Sequence, residues 1–177
     1  MCNISFQKAS RYCEQVRGAL KEFVEHNLGA KHLTRDEWIS QNTIQVTELF
    51  LKKDDQLALV ADGTYCFIQR SSNNEFQRDT YSVQKKRHLV KPFVVCAANG
   101  TIVEIYGFYN AKQNDAKIME DILEKDQFLR ELLKENDIII ADRGFRDCVK
   151  SIKKNYNVDV IIPTCEFCGF FIFNLIK

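Results

Sequence analysis

Asp137-Ile138-Ile139-Ile140-Ala141-Asp142-Arg143-Gly144-Phe145 is the stretch on which the fold turns. Four apolar residues in a row, β-branched at three positions and ended by Asp and Gly, predict a short strand buried on both faces. A second stretch has the same form: Leu57-Ala58-Leu59-Val60-Ala61-Asp62-Gly63-Thr64-Tyr65 is an apolar run interrupted by a carboxylate and then a glycine. Around these two, the texture predicts strands over Leu57–Gln69, Phe93–Ala98 and Ile102–Tyr109, the last two joined through Asn99-Gly100, a strong hairpin signal. A helix is expected over about Asn114–Lys134, from Ile118, Ile122, Leu123, Leu129, Leu132 and Leu133. A further helix over about Arg146–Asn155 leads to a strand at Val158–Pro163. Three antiparallel strands followed by helix, strand, helix, strand describe an α/β layer with a mixed sheet, in which the ends of the first and fourth strands can lie side by side.

Upstream, the first fifty residues read as helices. Tyr12, Val16, Ala19, Leu20 and Phe23 recur at helical spacing, and Gly29 can stop that helix. Thr34 with Glu37 makes a capping box ahead of a second helical stretch carrying Trp38, Ile39, Ile44, Val46, Leu49 and Phe50. Composition sets the outer bounds. The chain has 177 residues, 45% hydrophobic and 28% charged, with 25 basic against 24 acidic side chains. That is an ordinary globular composition, and a domain of this size buries roughly 70% of the surface its unfolded chain exposes. The near-neutral balance excludes a protein that binds polyanions over its whole surface, so a nucleic-acid site must come from local charge asymmetry. No run of 18 apolar residues occurs, and Met1–Ser10 has no apolar signal core, so the expectation is neither a membrane nor a secreted protein but a nuclear or cytoplasmic one. Seven scattered cysteines fit reduced thiols better than a disulfide framework. Cys165 and Cys168 have the spacing of half a zinc site without a second half, and they read as incidental thiols, as His26 and His32 read as non-ligands.

Asp62 and Asp142 carry the chemical interest. Burying a lone carboxylate is costly unless it is paired, hydrogen-bonded or metal-bound. On neighbouring strands the two would repel, raising one pKa, unless a hard divalent cation lay between them. The alternative is local: Asp142 caps the following helix with Arg143 as counter-charge, and turn amides near Gly63 satisfy Asp62. Asp115, in Asn114-Asp115-Ala116-Lys117, suits a helix N-terminus through capping and the macrodipole. Between the acids, Arg70–Lys91 holds Arg70, Arg78, Lys85, Lys86, Arg87 and Lys91 against Glu75 and Asp79, with Tyr65, Phe67, Phe76 and Tyr81 interleaved. It reads either as a solvated loop or as a surface for phosphates and exposed bases. His88 belongs to this basic segment rather than to a catalytic base.

Taken together, Ala61–Tyr65, Phe76–Ser82, Lys86–Phe93, Asn114–Ala116 and Ala141–Phe145 resemble the DDE superfamily endonuclease domain of Harbinger-type transposases, over about Thr34–Pro163. The resemblance implies a ribonuclease H-like fold in which carboxylates hold two divalent ions, Mg2+ or Mn2+, that cut and join DNA. It matches Asp62 to the first catalytic acid and Asp142 to the second, with Asp115 a supporting metal-site aspartate. Arg78, Lys85, Lys86, Arg87, His88 and Lys91 are then the DNA-binding residues. The implied layout is a helical segment over residues 1–53, the endonuclease domain over 54–164 and an atypical hydrophobic tail over 165–177. The family's third acid, usually Glu on a later helix, falls at the end of this chain, where no carboxylate stands. After Asp142 come only Asp147, Asp159 and Glu166, so the expectation is a truncated or degenerate copy. The short N-terminal segment also implies a separate helix-turn-helix partner for specific DNA binding. The alternative is a domesticated DNA- or protein-binding module that keeps the fold without turnover.

Overall fold

A computed structural model describes residues 5–162, so Cys165, Cys168, Glu166 and the tail over 165–177 lie outside the described residues. The chain opens with α1 (Phe6–Asn27), capped by Ser5, and none of its residues is buried. The apolar stripe of Tyr12, Val16, Leu20 and Phe23, whose spacing predicts a packing face, is solvent-exposed along its length. Gly29, with φ of 106°, then turns the chain and donates its N–H to the Val103 carbonyl.

The expected second helix is two. Thr34 forms the capping box of α2 (Arg35–Ile39) with Glu37, and Thr43 caps α3 (Ile44–Phe50). The break falls at Asn42, whose carboxamide donates to the Gln56 carbonyl at 2.8 Å and accepts from the Ala58 N–H at 3.1 Å. That side chain is committed to the edge of the sheet, which a continuous helix would deny it.

The sheet begins with β1 (Ala58–Gly63), extended by the two residues of β2 (Cys66–Phe67). The segment expected as a basic loop contains α4 (Asn74–Thr80), capped by Asn73, and β3 (Tyr81–Ser82). Then comes β4 (Arg87–Ala97), longer than the sequence predicts because Arg87–Val90 pair with β2 and β3. The hairpin to β5 (Ile102–Asn110) turns where Asn99-Gly100 predicts: Gly100, at φ of 89°, donates to the Ala97 carbonyl.

The predicted long helix is divided into α5 (Asp115–Lys125) and α6 (Gln127–Leu132) at Asp126. Asp126 is extended there; it caps α6 through the N–H groups of Phe128 and Leu129 and accepts from the Tyr106 hydroxyl at 2.6 Å. Next are β6 (Ile138–Ala141), a 3-10 turn at Arg143–Cys148, α7 (Val149–Tyr156) and β7 (Asp159–Ile161).

β1 pairs antiparallel with β4 and parallel with β6; β5 lines the other edge of β4 and β7 the other edge of β6. The spatial order is therefore β5-β4-β1-β6-β7, a mixed sheet with antiparallel and parallel halves. Alternation sends Leu59, Ala61, Ile139 and Ala141 to one face, where they meet Trp38, Ile118, Leu123, Phe145 and Ile152. Ala58, Val60, Ile138 and Ile140 face the other side, under Val46 of α3. Both faces are covered, which is why β1 and β6 read as unbroken apolar runs.

Asp137, fully buried, ties these layers together. Its carboxylate accepts both arms of the Arg35 guanidinium, each at 2.8 Å, and the N–H groups of Leu57 at 2.8 Å and Lys134 at 2.7 Å. Removing it strands a largely buried guanidinium and two backbone donors. Asp137→Ala is expected to cost about 3–5 kcal/mol of stability, measured as a shift in urea midpoint; a loss below about 1 kcal/mol would show that the pair is only peripheral.

Candidate active site

The parallel register of β1 and β6 runs Ala58 against Ile138 through Ala61 against Ala141. Asp62 and Asp142 are the next residues in that register, so their backbones emerge side by side at the same end of adjacent strands, roughly 5 Å apart. Asp142 stays extended, with φ of −78° and ψ of −176°, and its Oδ1 accepts from the Gly144 N–H at 2.8 Å. It thus caps the turn after β6, as the local alternative holds, and stands beside Asp62 as well. Asp62 pairs across β4 with Val94.

Asp115 arrives from α5. Asn114 supplies the cap by accepting from the Ala116 N–H, so the cap expected of Asp115 falls one residue earlier and leaves the Asp115 carboxylate for other contacts. It reaches over two glycines. A Cβ on Gly63 would collide with Asp115 Oδ1 and lie 2.9 Å from Lys91 Cδ; one on Gly144 would lie 2.9 Å from Asp142 Oδ1 and 3.6 Å from Asp115 Oδ2. The glycine after each strand-end acid thus leaves the space in which Asp115 and Asp142 sit.

The electrostatics follow from this crowding. Burial first, then the charges of Asp142 and Asp115, push the Asp62 carboxyl up to about 6, against the smaller opposing pull of the Gly63 N–H and Lys91. Lys91 is the local counter-charge. Its ammonium, on a residue only 3% exposed, donates to the Gln113 carbonyl at 2.8 Å and to Asp115 Oδ1 at 3.0 Å. Lys91 therefore departs from the expectation of a solvent-facing DNA contact, because it is spent on an acid of the cluster. Behind the site, burial and then the Asp62 charge raise the Cys96 thiol to about 11, which leaves it a neutral packing group.

Of the other basic residues, Arg78 is on α4, Lys85 and Lys86 lie in the turn before β4, and Arg87 and His88 open β4. Lys85 and Lys91 both lie 5.6 Å from the centre of the Tyr65 ring, and Arg87 lies 5.3 Å from that of Phe67. Sequence reasoning missed the Gln113 carbonyl and the burial of Lys91. The only signal for either was the glycine after each acid, which marks a close approach without naming what approaches.

The donors gathered at the strand ends are all carboxylate oxygens, which suits a hard cation. Among the described residues, no three His, Cys, Asp or Glu side chains are arranged to hold a metal ion. Two adjacent carboxylates are enough for magnesium, which keeps several of its waters.

Searches of curated proteins and of solved structures give no significant match. The family model described as DDE superfamily endonuclease matches residues 61–163, from the residue before Asp62 to beyond β7. That span takes in the whole acid cluster and more than half of the chain, which belongs to the DDE superfamily endonuclease family.

Proposed function

We propose that this chain is the nuclease domain of a Harbinger-type transposase, a DNA-cutting and DNA-joining enzyme of ribonuclease H-like fold in which Asp62 and Asp142 hold the catalytic divalent cations, Mg2+ or Mn2+. The observation that carries the reading is the shared register of two strand-end aspartates, one of which is pushed up to about 6 by burial and then by its acidic neighbours. The sheet order β5-β4-β1-β6-β7, in which β4 alone runs opposite to the other four, supports the fold assignment. Residues 54–164 form the endonuclease domain, with 1–53 a helical segment joined to it through Arg35, Trp38 and Val46.

Each residue has a distinct task. Asp62 and Asp142 present oxygens to the same space at the strand ends, fixed there by the β-ladder and by the Gly144 N–H. Asp115 supports them, held by Lys91 so that its second oxygen faces Gly144. Arg78, Lys85, Lys86, Arg87 and His88 neutralise the DNA backbone on the adjoining surface. Divalent cations, when bound, supply charge neutralisation at the phosphate and a lowered pKa for the attacking water or 3′-hydroxyl. The site of action is nuclear DNA, with target recognition left to a separate helix-turn-helix partner.

One observation favours a second reading, a degenerate copy serving as a DNA- or protein-binding module: no third side chain completes the metal group among the described residues. Plasmid nicking in Mg2+ or Mn2+ separates the two. Asp62→Asn and Asp142→Asn are each expected to lower the nicking rate roughly a hundredfold, the scale of removing one preorganised electrostatic group. Gly63→Ala, which forces Asp115 and Lys91 aside, should lower it with the fold intact by circular dichroism. Metal-independent nicking, or nicking that persists at the unsubstituted rate in both Asn variants, would sink the nuclease reading.

The metal-free protein should also report the crowding through its pH dependence. The Asp62 carboxyl stands at 3.8 ordinarily and at about 6 here, so between those values the folded state keeps a proton that the unfolded state loses. Its contribution is fully present below the ordinary value and is lost as pH rises through about 6, on the order of 2 kcal/mol. Asp62→Asn should flatten that slope in urea midpoints and raise stability at pH 7; a slope unchanged by the substitution would show that the proton is held elsewhere.

A further inference from the structure

A cavity of about 460 Å3 opens at the far end of β4, bounded by α4, β3 and the chain after β5. Arg70, Arg78 and Lys112 line it together with Tyr81 and His88, and no carboxylate does. Among the described residues none of these three cations is in an ion pair. In a chain whose net charge is only +1, three uncompensated cations around one cavity create the local potential that attracts an anion.

The aromatic wall is preorganised. Tyr81 is 39% exposed, and its ring meets the His88 ring edge-on, with centroids 5.2 Å apart and planes at 60°. Backbone pairing of Tyr81 with His88 holds the two residues together. His88 Nδ1 lies 3.4 Å from the Thr80 hydroxyl, which itself donates to the Phe76 carbonyl at 2.7 Å. Gln77 and Val83 complete the lining. A fixed aromatic face beside a cluster of cations matches an unstacked base with its phosphate, whereas an acidic peptide would leave the ring without a partner. The volume lies in the range of small-molecule clefts, roughly 300–1,000 Å3.

Its position gives a register. His88 is six residues along β4 from Val94, the partner of Asp62, which is roughly 20 Å at about 3.3 Å per residue. Stacked DNA covers that distance in about six nucleotides. Tyr65, whose ring centre is 5.6 Å from the Lys85 ammonium, stands at a level of β4 between the two places, since Cys66 pairs with Val90 and the Thr64 N–H donates to the Pro92 carbonyl.

We propose that this cavity is a subsite for one unstacked nucleotide of a single DNA strand, the base against Tyr81 and the phosphate among Arg70, Arg78 and Lys112, about six nucleotides from the phosphodiester at the aspartates. The DNA in this proposal rests on the nuclease reading, while the subsite itself is read by binding alone.

The test is fluorescence anisotropy of the full chain in EDTA, with a labelled 12-nucleotide single strand, the matching duplex and poly-glutamate of equal charge as probes. Tyr81→Ala is expected to weaken single-strand binding at least fivefold and duplex binding less than twofold, and Tyr81→Phe to restore it. Arg78→Gln with Lys112→Gln should weaken both DNA probes and reduce the salt slope by about two. Equal effects of Tyr81→Ala on single strand and duplex, or poly-glutamate binding as tight as DNA, would overturn the nucleotide subsite. Because no metal or cutting enters the measurement, a chain that never nicks DNA yet shows this pattern refutes the nuclease reading alone, and one that nicks without it refutes the subsite alone.

Discussion

The register of β1 against β6 is the constraint on which the rest depends, and a buried carboxylate sets it. Asp137 stands immediately before β6 and accepts the N–H of Leu57, immediately before β1, while the Ile138 N–H donates to the Leu57 carbonyl. Both strands therefore start from the same level. Five residues later each ends in an aspartate at the same level, because parallel strands advance together. A slip of one residue would exchange the two faces of β6 and take Asp142 out of register with Asp62. Arg35 makes the arrangement tolerable, since a buried carboxylate with no counter-charge would be among the costliest groups a core can hold. The helical segment thus contributes the charge that aligns strands it does not belong to.

At the other end of the same two strands the balance is reversed. Asp137 has a dedicated cation and two backbone donors, whereas Asp62 has the Gly63 N–H and a share of Lys91 against two acidic neighbours. One end of the ladder is satisfied and the other is held in excess negative charge. Such an excess opposes folding of the metal-free chain, and it has an evident use only if something positive completes it. The two ends, separated by one short strand, thus differ in how far their carboxylates are compensated.

Much of this was legible in the sequence. The apolar runs, the Asn99-Gly100 hairpin and the two interrupted strands each follow from local rules, although the first strand, expected through Gln69, ends at Gly63 and resumes only at Cys66–Phe67. What local rules missed were side chains committed to distant partners. Asn42 and Asp126 break helices because their polar groups serve Ala58 and Tyr106, neither of which is near in sequence. Lys91 reads as part of a basic run until β4 turns it inward to Asp115. Helical periodicity predicted an apolar face on α1, and it is present, but periodicity says nothing of what covers such a face, and in this chain nothing among the described residues does.

The two glycines complete the account of how three separate acids come to share one space. Neither Gly63 nor Gly144 is required by a left-handed backbone, since both lie outside the residues with positive φ. Their lack of a side chain matters instead: any Cβ at Gly63 would occupy the place of the Asp115 carboxylate, and one at Gly144 would crowd Asp142. The two glycines therefore do different things: Gly63 admits the carboxylate of α5, whereas Gly144 leaves room for the Asp142 carboxylate that accepts its own N–H. Substituting either acid would remove a charge, but filling Gly63 would displace the Asp115 carboxylate and the Lys91 side chain that holds it.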